Sequence, residues 1–188
     1  MPAPPAVASP SPRSDTERLF LALWPDARCR TCLLAHRDAW RWNAGAAPVA
    51  PRRLHLTLHF IGAVPRDRVA ALAAALQVPF EPFSMSFGVP EAWPRGLAVL
   101  RPQDLPEPLG SLHAALGQAL RSFGWPVERR DFRPHVTLAR KATGAVAPAH
   151  APVFRWPVAA YVLMASVPGA DYRLVRTYEA HPASSRPA

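Results

Sequence analysis

Residues 52–62 read RRLHLTLHFIG, and eighty positions after His55 the chain writes His135-Val136-Thr137-Leu138 to match His55-Leu56-Thr57-Leu58. Seven His and six Thr in 188 residues make roughly 0.2 His-x-Thr pairs expected in a shuffled chain. One such pair would be read as a structural His beside a Thr that suits a strand. Two, each followed by Leu, point to chemistry. A neutral imidazole takes a proton from water and an imidazolium gives one to a leaving oxygen, and a pKa of about 6.5 makes both forms accessible near neutrality. Set on opposite sides of one phosphorus, the two histidines, His55 and His135, would supply one acid and one base for an in-line displacement, with neither role assigned by the residues alone. Thr57 and Thr137, two residues on and on the same strand face, would each donate a hydrogen bond to a non-bridging oxygen. No Ser or Cys nucleophile is required.

Zinc is the rival use of these atoms, through His55, His59 and His135. Residues four apart on a strand lie about 13 Å apart, too far to share one ion without a bulge, so no metal is expected and His59 is placed at the rim of a cleft. Arg133, on the face of His135, is a candidate for binding phosphate or stacking on a base. Arg140 is the second candidate, although an ideal strand would turn it to the other face, so its access needs the strand to end or bend. His36, His113, His150 and His181 lack the Thr context. Cys29 and Cys32 have the C-x-x-C spacing of a redox pair, but Trp24-Pro25-Asp26 ends a strand and offers Asp26 as a helix N-cap, which puts both cysteines in the first turns of a helix. There is no Walker-type glycine loop and no G-x-S-x-G elbow.

The elements that must hold these groups can be read from periodicity. Arg18–Trp24 is an apolar run that reads as a buried strand, and Asp26 to about Trp42 has helical spacing. From Leu54 to Ile61 the chain alternates. Leu54, Leu56, Leu58 and Phe60 face a core, and His55, Thr57, His59 and Ile61 face a cleft. Pro65–Gln77 and Pro108–Phe123 read as helices, the second carrying Leu109, Leu112, Leu116 and Leu120 and closed by Gly124. Phe83–Val89 and Leu97–Leu100 read as strands about a Pro-Arg-Gly turn, Pro134–Arg140 as the second motif strand, and 158–166 and 172–178 as a closing hairpin. The repeated order predicts an α+β fold of two similar lobes that share a cleft.

An apolar share of 49% supports a sizeable core. Residues 17–180 are read as one bilobal domain between a Pro-rich tail, 1–16, and a short tail, 181–188, both too poor in bulky apolar residues to offset ordering. No apolar run is long enough to span a bilayer and no secretory leader is apparent, so the expected setting is cytoplasmic. The formal charge of +9 suits a polyanionic partner. Yet Lys141 is the one lysine, and Arg beside abundant Ala and Pro is also what a GC-rich coding bias produces.

HLTLHFIG and FRPHVTLAR resemble the paired signatures of the two-histidine (2H) phosphoesterases, and within them the RNA 2′,3′-cyclic phosphodiesterases, historically the bacterial 2′-5′ RNA ligases. RLFLALWPD resembles the first strand of that family and Tyr172-Arg173-Leu174-Val175 its last, so the likeness runs from Arg18 to Ala180. It implies two lobes related by a pseudo-twofold, with antiparallel sheets lining a central cleft and helices outside. It also implies no cofactor and no metal, and a monomer acting on RNA ends or small cyclic nucleotides without a membrane. His55 would be the proton donor to a departing 3′ oxygen and His135 the acceptor that activates water. Thr57 and Thr137, with Arg133 and Arg140, would hold the phosphate. The product would be a 2′-phosphate, with weak reverse 2′-5′ joining. The alternatives are an RNA-binding or end-protecting module, and a phosphodiesterase for another cyclic nucleotide.

Overall fold

The computed structural model describes residues 15–181; the readings of residues 1–14 and 182–188 as tails lie outside them. Nine strands form one antiparallel sheet: β1 (Thr16–Leu23), β2 (Ala47–Pro48), β3 (Leu56–Pro65), β4 (Phe83–Trp93), β5 (Leu97–Pro102), β6 (Val136–Arg140), β7 (Phe154–Val158), β8 (Ala160–Ser166) and β9 (Arg173–Glu179). The path β7-β4-β5-β6-β3-β1-β8-β9 puts four strands on each side of a seam between the two motif strands, and β2 adds a fifth on the β6 side. The fold is α+β, and the two halves repeat: β1, helix α1 (Ala27–Asp38) and β3 match β5, helix α3 (Glu107–Ser122) and β6.

The three helices, with α2 spanning Arg66–Ala75, cover one face of the sheet. Leu33 of α1, Leu72 of α2 and Leu109, Leu112, Leu116 and Leu120 of α3 share one buried cluster with Leu54, Leu56, Leu58, Val136 and Leu138. That cluster is the main hydrophobic contribution to stability. The helices cross the seam: α1 packs on β6 and β7, and α3 packs on β3. Each motif strand is therefore backed by the helix of the other half. The opposite face carries a smaller cluster, Phe20, Ala22, Val162 and Met164, with Trp24 and Tyr172 against it.

Local chemistry sets the boundaries. The Asp26 carboxylate accepts the Cys29 amide at 2.7 Å and caps α1, and that bond holds its pKa below the usual value. Helix α1 stops at Asp38, four residues short of the expected end, because Trp40 leaves the helical path to stack on Trp42 at 5.2 Å. Gly124, at φ 80°, ends α3 with the Trp125 amide returning to the Leu120 carbonyl at 2.8 Å. The β4–β5 hairpin turns through Arg95 and Gly96, at φ 64° and 68°. A Cβ on Gly96 would meet Thr143 Oγ1 at 2.9 Å, so only glycine fits there.

Candidate active site

The strands β3 and β6 meet through one residue pair, Leu56 and Val136. Both side chains are fully buried, which turns their neighbours to the other face. That antiparallel register brings Thr137 alongside His55 and Thr57 alongside His135, and makes the two histidines diagonal neighbours about 7–8 Å apart. The four predicted side chains thus alternate in a diamond on the cleft face. Both rings are fixed in the same way. His55 Nδ1 lies 2.7 Å from the Arg53 carbonyl and His135 Nδ1 lies 2.8 Å from the Arg133 carbonyl. A carbonyl only accepts, so Nδ1 carries the proton and Nε2 of each ring is left to exchange one.

A second shared feature corrects the expected alternation. Opposite Leu21 and Ala22, β3 places His59 and Thr57, so Leu58 is an extra residue, and a further shift makes Ile61 extra. Opposite Ala98 and Val99, β6 places Ala139 and Thr137, so Leu138 is extra. Each motif strand therefore carries a β-bulge three residues after its His, which reverses the facing of the residues beyond it. His59 is not at the cleft rim; it is buried on the core face, stacked on His113 at 4.1 Å with Nε2 donating to the His113 carbonyl at 2.8 Å. Phe60 and Ile61 exchange their expected faces: Ile61 is buried and Phe60 is 56% exposed. Arg140, the counterpart of Phe60, gains the access that an ideal strand would deny it, and its charge acts on both His55 and His135. With His59 on the far side, a chelate of His55 and His59 is ruled out. Among the described residues no group of three His, Cys, Asp or Glu could hold a metal ion.

The model of the 2′-5′ RNA ligase superfamily matches residues 26–166, a span holding both His-x-Thr strands. The chain belongs to this superfamily. It is 32% identical over 166 residues to the RNA 2′,3′-cyclic phosphodiesterase of Thermus thermophilus, covering 79% of this chain and 81% of the relative. It is 33% identical over 150 residues to the enzyme of that name from Escherichia coli, covering 78% and 84%. Among solved structures, E. coli LigT complexed with 3′-AMP superposes with a TM-score of 0.75 at 27% identity, over 88% of this chain and 98% of that one. The two-histidine phosphoesterase resemblance and the α+β fold expected from it are thereby established for this chain.

Within that superfamily frame, the walls around the two histidines differ. His55 is enclosed by Phe20 (ring centroids 5.0 Å), Trp24 (5.4 Å, stacked) and Tyr172 (5.4 Å, edge-on). Burial pushes its pKa down to about 4, helped by the charges of His135, Arg53 and Arg140 and opposed by the Arg53 carbonyl. His135 has one aromatic neighbour, Trp93 at 4.5 Å. Its pKa is also lowered, by burial first and then by Arg130, Arg133 and Arg140. Arg133 lies over Trp93 at 4.5 Å, and Arg53 lies over Tyr172 at 4.6 Å. Arg53 escaped the sequence reading, yet the repeat carried it: both motifs read Arg-x-His-x-Thr-Leu. Phe20, Trp24, Trp93 and Tyr172 had no such signature, because they come from three separate segments. Cys29 is buried in α1 and its thiol is pushed up to about 12, the reverse of the lowered pKa that redox thiols need.

Proposed function

We propose that this chain hydrolyses 2′,3′-cyclic phosphate at RNA ends, leaving a 2′-phosphate, by acid–base catalysis between two histidines without a metal. The observation that carries the reading is the doubled Arg-x-His-x-Thr-Leu unit, with each Nδ1 fixed on a carbonyl and each His set beside the other strand's Thr. The names of the relatives point to the same substrate. His135 Nε2 takes a proton from water as its oxygen bonds to phosphorus. The bond from phosphorus to the 3′ oxygen breaks, and His55 Nε2 gives its proton to that oxygen. Thr57 and Thr137 donate to the non-bridging oxygens, where charge builds, while Arg140 and Arg133 supply positive charge.

The unequal walls support this assignment. Enclosed by three aromatic rings and lowered to about 4 by burial, His55 gives up its proton readily once protonated, and the more open His135 suits the base. An anionic phosphate between them raises both pKa values as it binds, which supplies the acid form that the free cleft disfavours. The same steps with a 5′-hydroxyl in place of water join a 2′,3′-cyclic end to that alcohol as the bond to the 3′ oxygen breaks, giving weak 2′-5′ ligation. A cytoplasmic monomer serving RNA ends or small cyclic nucleotides completes the reading.

The test is hydrolysis of a short RNA ending in 2′,3′-cyclic phosphate, with EDTA present, by the wild type and by His55→Ala and His135→Ala. Turnover to a 2′-phosphate that is lost in both folded variants is expected. Tight, salt-dependent binding without turnover would return the reading to an end-binding module. Turnover of another cyclic nucleotide alone would replace the substrate.

A further inference from the structure

On the side of β6 that faces β5, away from His55, the cleft opens into a groove of about 170 Å³ at the junction of Arg101, Asp104, Leu105, Phe132 and Arg133. It shares one wall, Arg133, with the surroundings of His135. Trp93 touches His135 at 4.5 Å, and the Arg133 guanidinium that covers Trp93 at 4.5 Å forms the groove wall. Leu105 is 50% exposed there, an apolar surface with no cover. The charges nearly cancel. Arg101 and Arg133 share the Glu91 carboxylate at 3.1 and 4.0 Å, Glu91 also accepts from Trp93 Nε1 at 2.6 Å, and Asp104 stands on the wall. Two cations against two carboxylates do not make a phosphate site. A guanidinium plane, an indole and a leucine suit a flat, uncharged, polar group.

We propose that this groove seats a nucleoside with a free 5′-hydroxyl, and that it is the acceptor site for 2′-5′ joining. The inference rests on the function proposed above, because it uses the in-line geometry in which the attacking oxygen arrives beside His135 and the 3′ oxygen leaves beside His55. An alcohol held in the groove stands where water would attack. Its oxygen bonds to phosphorus while its proton passes to His135 Nε2. The bond to the 3′ oxygen breaks, and that oxygen takes the proton of His55. The product is a 2′-5′ phosphodiester, and no further reactant is needed. A groove occupied this way excludes water, so it sets the division between joining and hydrolysis.

The test uses the whole protein, a short RNA ending in 2′,3′-cyclic phosphate, and the dinucleotide ApA with a free 5′-hydroxyl over a range of concentrations. Products are separated into 2′-phosphate and 2′-5′-joined RNA for the wild type, Leu105→Asp and Leu105→Ser. Leu105 is exposed and takes no part in hydrolysis. Without ApA, hydrolysis by both variants is expected to stay within about twofold of the wild type. With ApA, joining should fall about tenfold, the size of one lost stacking surface, and more in Leu105→Asp than in Leu105→Ser. Equal loss of both products in the folded variants would show that the groove holds the cyclic-phosphate strand, and unchanged joining would show that it holds neither; each overturns the proposal. Hydrolysis by the wild type with no joined product at saturating ApA overturns it and leaves the hydrolase reading intact. No hydrolysis at all overturns that reading, and the acceptor site with it.

Discussion

The two halves of the cleft are copies in backbone and strangers in surroundings. Each gives an Arg whose carbonyl fixes Nδ1, a His, a Thr two residues on and a bulge at the Leu after that. Around this shared frame, the first half builds an aromatic wall of Phe20, Trp24 and Tyr172 and ends its cleft face at Phe60. The second sets Trp93, Arg133 and Glu91 beside its His and ends at Arg140. The repeat settles where two imidazoles point. The walls differ in how far they enclose each ring, and under the proposed function that difference would separate a leaving side from an attacking side.

Leaving-group chemistry breaks or sharpens this contrast most strongly. Replacing either histidine by Ala should lower cyclic phosphate hydrolysis by about 10²–10⁴-fold, the usual size of a lost proton transfer. With an activated diester whose nitrophenolate departs without a proton, His55→Ala should recover most of that loss and His135→Ala should keep it. Equal losses on both substrates would mean that the walls do not assign the roles. Next come the threonines: Thr57→Val and Thr137→Val should each cost about a hundredfold in kcat, as one charge-stabilising donor does elsewhere. The two effects should be alike, because each Thr lies beside the other strand's His.

A smaller effect separates the ends of the two strands. Arg140→Ala should raise KM about tenfold, the size of a lost charge-assisted hydrogen bond. It should also move the pKa of His55 upward, since the positive charge of Arg140 helps to hold it down. Phe60→Ala, at the matching place, should leave that pKa where it is. Carbon-detected titration of the His55 ring in the two variants measures the difference, and equal shifts would mean that Arg140 does not reach the cleft.

How much of this could be read from the sequence depends on the range of each interaction. Periodicity and spacing carried the motif strands, the α3 leucines, the Asp26 cap and the closing hairpin, all set by neighbours within a turn or a strand. They missed β2, which has two residues, and β7, whose Pro157 hides the pattern. His59 was misplaced because a bulge is fixed by pairing with a partner strand, and nothing in LTLHF marks Leu58 as the extra residue. The same bulge explains why Arg140 looked turned away. The aromatic wall of His55 and the groove beside His135 are assembled from distant segments, so only the fold brings them together.

The least effect, and the one that tests the core beneath the halves, is on stability. At the place where β3 has His59, β6 has Ala139. His59 and His113 stack at 4.1 Å, and His113 stacks in turn on Phe132 at 3.9 Å, three residues before His135. Burial lowers the pKa of His59 and takes His113 to about 4, with His55 alike at about 4. The unfolded chain has these groups near 6.5. Between about pH 6.5 and 4 the unfolded state therefore binds more protons than the folded one, and stability falls as the pH falls through that window. Melting temperature should drop from pH 7.5 to pH 4.5, and hydrogen exchange at pH 5 should loosen β3 and α3 before β4 and β5. His113→Phe keeps a ring between His59 and Phe132 and removes one titrating group, so its melting temperature should drop less over the same interval. An equal drop would assign the acid sensitivity to the other histidines whose pKa burial lowers, buried His36 and the cleft pair among them, and would leave His113 a packing role that does not depend on pH.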